Sequence, residues 1–151
     1  MPYSLIIVDM QGYFKASKQS SVKKNVLKQI ELAIQDNAPI VFVEYKGCGS
    51  TLPSLKNLPK NNSYSKIYKI KKTADDGSDV IMSALRSNKL PRKHVRVCGV
   101  NTDCCVYETV HGLSRALPKS TIEVVENACG STHCHADGIY DMDRLFNVTI
   151  I

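Results

Sequence analysis

Residues Val95 to Leu113 read VRVCGVNTDCCVYETVHGL, and this stretch changes its apolar period halfway. Val95, Val97, Gly99 and Val100 form a compact apolar run of strand type. Asn101-Thr102-Asp103 then supplies turn chemistry. Beyond it, Val106, Val110, Leu113 and Leu117 recur at steps of 4, 3 and 4, the spacing of one helix face. The stretch is therefore a strand, a tight turn and a helix, with the thiol pair Cys104-Cys105 at the helix start and Asp103 placed to cap it. A helix N-terminus gathers unpaired N–H groups and positive dipole. Such an environment favours thiolate over thiol, so one of these cysteines is a candidate nucleophile.

The rest of the chain extends the same alternation in both directions. Residues 4–9, SLIIVD, are an apolar run ending in Asp9, the look of a strand buried on both faces. Ser20 or Ser21 is placed to cap a helix with apolar positions Val22, Val26, Leu27, Ile30, Ala33 and Ile34, ending at Asp36-Asn37 before Pro39. Residues 40–43 form a second buried strand, with Glu44 and Tyr45 at its carboxyl end. Residues 46–65, rich in Gly, Ser, Asn and Pro, read as irregular, and a connection of that length is commonly functional. The lysine-rich run 64–72 suits an edge strand. A short helix over Asp79–Asn88, the strand–helix pair already described, a strand over 121–125, a helix over 133–145 and a strand over 147–151 complete the chain. Strands alternating with helices predict a single domain over 1–151, a three-layer α/β/α fold around a mostly parallel six-stranded sheet of order 3-2-1-4-5-6. In that order the first and fourth strands are neighbours, and Asp9 and a thiol meet at the switch point where such sheets bind ligands.

Composition narrows the function classes. The 151 residues are 43% hydrophobic and 23% charged, ordinary for a globular domain with a real core. No run approaches the roughly 18 apolar residues of a membrane span, and the N-terminus lacks a basic signal-peptide n-region. A cytoplasmic protein with no membrane partner is expected. The six cysteines (48, 98, 104, 105, 129 and 134) are then expected as reduced thiols, Cys98 and Cys104 as small core residues. No CxxC pair is present, and His133-Cys134-His135 would point its side chains apart on a helix, so no metal is expected. The net charge of +6 falls in runs without interleaved aromatic platforms; solvated faces, with room for an anionic substrate, account for it better than nucleic acid.

Two motifs carry a resemblance. Leu5 to Gln11, LIIVDMQ, and Gly99 to Val106, GVNTDCCV, together with a lysine ending the third strand, resemble the isochorismatase-like cysteine hydrolases, the group of the nicotinamidases and N-carbamoyl amide hydrolases. The resemblance implies Cys105 as nucleophile and Asp9 as general base and later acid. It implies a lysine for which Lys72 ranks first, with Lys71 and Lys69 as competing registers; the Ser-Ala-Phe common after it is replaced by Thr73-Ala74-Asp75-Asp76. It also implies a cis peptide between Val100 and Asn101, aiming the Asn101 N–H with that of Cys105 at an oxyanion. Phe14 matches an aromatic that packs on substrate, and Glu44 and Tyr45 are further candidates to line the pocket. Many nicotinamidases carry an Asp and two His after the second strand as metal ligands; residues 44–62 contain no histidine, so no catalytic metal or other cofactor is implied and nicotinamide is disfavoured. The cysteine likewise argues against isochorismatase chemistry on a vinyl ether. A homodimer is the implied assembly.

The chemistry stands beside the resemblance. An isolated thiol titrates at about 8.5, and a helix start with a nearby ammonium would favour its thiolate. Asp9 can move the proton, the thiolate can attack a carbonyl to form a thioester, and backbone N–H groups can hold the oxyanion. The function expected is hydrolysis of a small amide or carbamoyl C–N bond. The rival is a catalytically silent or thiol-redox-responsive binding protein on the same scaffold, using Cys104-Cys105 as a sensor.

Overall fold

In a computed structural model, which describes residues 1–151, strands alternate with helices from end to end. Strand β1 (Ser4–Val8) is buried at every position, because its uninterrupted apolar sequence has sheet neighbours on both edges and helices on both faces. A 3₁₀ turn at Lys15–Lys18 leads into helix α1 (Ser20–Gln35). Strand β2 (Ile40–Tyr45), helix α2 (Pro53–Asn61), strand β3 (Ile67–Lys72) and helix α3 (Ser78–Ser87) follow. Then come strand β4 (His94–Val100), a π-turn at Thr102–Val106, helix α4 (Tyr107–Ala116), strand β5 (Thr121–Gly130), helix α5 (His135–Asp143) and strand β6 (Val148–Ile150).

The six strands form one parallel sheet in the order β3-β2-β1-β4-β5-β6, as the alternation predicts. Helices α1 and α2 pack together on one face, and α3, α4 and α5 make a packed row of their own, the outcome of right-handed crossovers running in opposite directions from β1 and β4. Strand order reverses between β1 and β4, where Val8 pairs with Gly99. Gly99 has φ +126°, and a Cβ there would lie 2.1 Å from the Val8 carbonyl oxygen. Only glycine allows β4 to lie this close to β1. The closeness brings the chain after β1 against the chain after β4.

Several local expectations differ from the structure. The 46–65 segment contains α2. Pro53 sits in its first turn, where the missing N–H costs nothing, and Leu55, buried completely, anchors it to the core. The Asn and Pro residues mask that helix in the sequence. The rest of the segment is clamped: the buried Glu44 carboxylate accepts bonds from the Thr51 N–H (2.6 Å) and hydroxyl (2.8 Å). Helix α1 starts after Gln19 without a side-chain cap, so neither Ser20 nor Ser21 caps it. β5 runs five residues beyond Val125, through a register shift opposite Val97 and Gly99, to pair Val100 with Gly130. No helix is long and apolar enough to cross a membrane.

Candidate active site

β1 ends at Val8, and Asp9 turns the chain with φ +52°, a left-handed conformation that aspartate tolerates better than most residues. The turn leaves its carboxylate at the carboxyl edge of the sheet, 1% exposed. Gln11, fully buried, secures the chain beyond: its amide donates to the carbonyls of Tyr45 (3.0 Å) and Gly49 (2.7 Å) and accepts from the Tyr45 N–H (2.8 Å). Gln11 thus ties the exits of β1 and β2 together, a role invisible in LIIVDMQ because its partners are 34 and 38 residues away.

β3 delivers the lysine. Lys69 and Lys71 are exposed, whereas Lys72 is 1% exposed and its Nζ lies 3.0 Å from Asp9 Oδ2. Tertiary packing therefore selects Lys72 among the three registers. Its ammonium also donates to the carbonyls of Ala74 and Asp75, both at 3.0 Å, and stands 4.1 Å from the centroid of the Tyr45 ring. A lysine this deeply buried persists because its charge is paired with Asp9 and two backbone carbonyls accept its protons.

β4 delivers the thiol. The Val100–Asn101 peptide is cis, and the chain then winds through the π-turn that carries Cys105 before α4 begins. The Asn101 carbonyl accepts the N–H groups of Cys104 and Val106, each at 3.1 Å, while the Asn101 N–H donates to no backbone carbonyl. The turn is braced from behind by the entry to α5. Thr102 Oγ1 and His135 Nδ1 are 2.7 Å apart, and Gly138 packs so tightly on Thr102 that a Cβ would fall 2.7 Å from its backbone. The Asp103 carboxylate accepts from the Ser131 hydroxyl (2.6 Å) and the Cys134 N–H (3.4 Å), so it fastens this loop instead of capping the helix. Burial pushes its carboxyl up, and those hydrogen bonds outweigh the push and hold it below the usual value.

Asp9, Lys72 and Cys105 therefore converge from three strand ends, with Asp9 neighbouring both the ammonium and the thiol. Burial raises the Asp9 carboxyl above its ordinary 3.8, with the Lys72 charge only partly opposing it. Burial and the Asp9 charge push the Cys105 thiol far above the ordinary value, and again Lys72 offsets only part of the rise. Desolvation and a carboxylate thus outweigh the helix start and the ammonium, and the thiol is shifted toward its protonated form.

The remaining candidates divide. Phe14 and Tyr45 are half-buried, with ring centroids 6.3 Å apart, beside the lysine. Glu44 is consumed in holding Thr51. Cys98 is core, but Cys104 is exposed, contrary to expectation, because the π-turn rotates it outward. All six cysteines are free thiols. Asp75, in the stretch that stands in place of Ser-Ala-Phe, also reaches the site. Its Oδ1 lies 3.8 Å from Cys105 Sγ and 3.2 Å from the Tyr45 hydroxyl, and its Oδ2 lies 3.7 Å from Cys104 Sγ. Asp75, Cys104 and Cys105 place ligand atoms within 4.8 Å of one another, the one grouping able to offer a soft cation three donors; His135 is instead occupied by Thr102.

Comparison with solved structures places the fold. The chain is similar to a nicotinamidase from Staphylococcus aureus at a TM-score of 0.83 and 18% identity, covering 100% of both chains. It is similar to a ribonuclease from Caenorhabditis elegans at 0.81 and 20% identity, over 99% of this chain and 76% of that one. It is similar to an N-carbamoylsarcosine amidase from Thermoplasma acidophilum at 0.75 and 21% identity, over 99% and 95%. No protein-family model matches the sequence, and no curated protein matches it. The chain shares the fold of these structures over 99% or more of its length.

Proposed function

We propose that the protein is a cysteine hydrolase that cleaves a small amide or carbamoyl C–N bond through a thioester. The observation that carries this reading is the convergence of Asp9, Lys72 and Cys105 at the β1–β4 switch point, with the two acidic groups both shifted toward their protonated forms. Desolvation is the largest cause of both shifts, and strongly desolvated titratable groups gather at sites of acid–base chemistry.

The steps follow from the geometry. As substrate excludes water, the Cys105 thiol passes its proton to Asp9, and its sulfur bonds to the carbonyl carbon. Lys72 stabilises the negative charge shared between thiol and carboxylate while this happens. The carbonyl electrons move onto oxygen, held by the N–H groups of Asn101 and Cys105. Asp9 returns the proton to the departing nitrogen, the C–N bond breaks, and a thioester remains. Asp9 then takes a proton from water, whose oxygen attacks the thioester, and the acid leaves as the thiol is restored. The amidases among the neighbours of this fold support the reaction class. The ribonuclease neighbour does not redirect it, because Asp9 and Asp75 would face a phosphodiester's negative charge at close range.

The test is ammonia release from a panel of small amides and N-carbamoyl compounds, followed by intact-mass detection of an acyl adduct on Cys105. Turnover lost in Cys105→Ala supports the reading. Turnover that survives the substitution, or none on any member, favours the silent or redox-responsive binding protein.

A further inference from the structure

The mouth of the site carries a carboxylate that the reaction does not need. Asp75 follows β3 on the loop that replaces the small and aromatic residues expected there. That loop is pinned at several points. The Asp75 carbonyl accepts from Lys72 Nζ (3.0 Å) and from the Thr109 hydroxyl (3.4 Å), which in turn accepts the Gly77 N–H (2.9 Å). Asp76 Oδ1 accepts the Ser78 N–H (2.8 Å) at the start of α3. The Asp75 side chain is thereby held over Cys105 with the Tyr45 hydroxyl against its Oδ1. Yet no cation neutralises it: the protein's ion pairs join Lys72 to Asp9, and His94 and Arg96 to Glu123. Around the thiol the formal charge is one ammonium against two carboxylates, a local excess of negative charge in a protein of net charge +6.

We infer that Asp75 is the specificity-determining residue of this site and selects substrates bearing a positive charge, an ammonium, amidine or guanidinium group a few bonds from the scissile carbonyl. The inference rests on the hydrolase reading above for the word substrate, and on Asp75 alone for the charge. A cation seated between the Asp75 carboxylate and the Tyr45 and Phe14 rings pairs the carboxylate that no side-chain cation of the protein reaches beside the thiol, and gains from the ring faces. The same carboxylate repels an anionic ligand and helps to expel the carboxylate product of hydrolysis. The net positive surface is therefore a poor guide to the charge of the substrate.

The test reads charge preference at the nucleophile without requiring turnover. Methanethiosulfonates with a trimethylammonium or a sulfonate tail each form a disulfide with the Cys105 sulfur and expel methanesulfinate. Rates are followed by peptide mass spectrometry, in a Cys104→Ser background and at low ionic strength. The cationic reagent is expected to modify Cys105 faster than the anionic one by about tenfold, against the overall charge of the protein. In Asp75→Asn the preference disappears, and in the control Asp76→Asn it remains. Equal rates, an anionic preference, or a cationic preference that survives Asp75→Asn overturns the inference. A parallel comparison of a cationic amide with its neutral isostere separates the two readings. Turnover dependent on Cys105 without charge preference refutes the role of Asp75 and leaves the hydrolase. Labelling that depends on Asp75 with no turnover of any amide refutes the hydrolase and leaves the cation site.

Discussion

The two ends of the sheet each hold a charge cluster, and the clusters are shifted in opposite directions. At the amino ends of β4 and β5, Glu123 Oε2 accepts from Arg96 Nε at 2.8 Å and stands 2.9 Å from His94 Nε2, while Arg96 lies over the Tyr3 ring at 4.3 Å. Burial raises the Glu123 carboxyl, but its two partners outweigh burial and hold it below its ordinary 4.5. At the carboxyl end, Asp9 and Lys72 are each 1% exposed, and burial wins over the cation. One cluster keeps its charges because water and two partners share the cost of desolvation. The other is desolvated enough that burial outweighs the cation beside its carboxyl. Ion pairing is common to both, so it is the balance of burial against pairing that separates a structural cluster from a reactive one.

The contrast can be broken at several points. The largest effect is expected from Cys105→Ala, which should lower turnover by at least about 10³-fold while the melting temperature stays near that of the parent; ammonia release and thermal unfolding measure the two halves.

Lys72→Met should come next. It leaves the Asp9 carboxylate buried without its cation, at a cost of about 3 kcal/mol near neutral pH. Lys72 lowers the Asp9 pKa, so its removal raises that value further. A carboxyl with a raised folded-state pKa is favourable below its unfolded value, and that contribution is lost as pH rises through the folded one. The variant should therefore recover stability on acidification, as urea titrations at acid and neutral pH would show. Adding Asp9→Asn should restore stability and leave activity absent, which no purely structural role for the pair predicts.

A smaller effect concerns the acid limb of kcat/KM. Because Asp9 is raised above 3.8, activity should fall on acidification at a higher pH than an ordinary aspartate would set. A limb at or below the ordinary value would contradict the desolvated base.

Smallest is Glu123→Gln. Its depressed carboxyl contributes stability above its unfolded pKa, and that contribution is lost as pH falls through the folded one. The pair is partly solvated, so the loss should be at most about 1 kcal/mol, and ammonia release should be unchanged.

Much of this was legible along the chain, for reasons particular to each element. β1 announces itself because both faces and both edges are covered, leaving an unbroken apolar run, and β4 because Val95 and Val97 to Val100 are buried around the half-buried Arg96. Asp9 is legible because it directly follows the β1 run, where chemistry in a parallel sheet collects, whereas Cys105 is told from Cys104 by the family resemblance alone. α2 was hidden: its proline and asparagine residues carry loop statistics, and only Leu55 entering the core makes it a helix. Cys104 and Asp103 were misplaced for a shared reason. A regular helix start would bury the first and let the second cap, but the π-turn rotates one outward and turns the other toward Ser131.

By itself, then, the amino-acid sequence determined the alternation of strands and helices and the place of Asp9 and the thiol pair just beyond two strands, because periodicity and strand-end position are local properties. The tertiary structure alone decided the rest. It chose Lys72 over Lys69 and Lys71 by burying one of three adjacent lysines against Asp9. It reversed the expected shift of the thiol, since desolvation is a property of the whole shell of neighbours. And it brought Asp75 from a loop 30 residues away to stand over Cys105, a contact that exists only once β3 and β4 have taken their places on either side of β2 and β1.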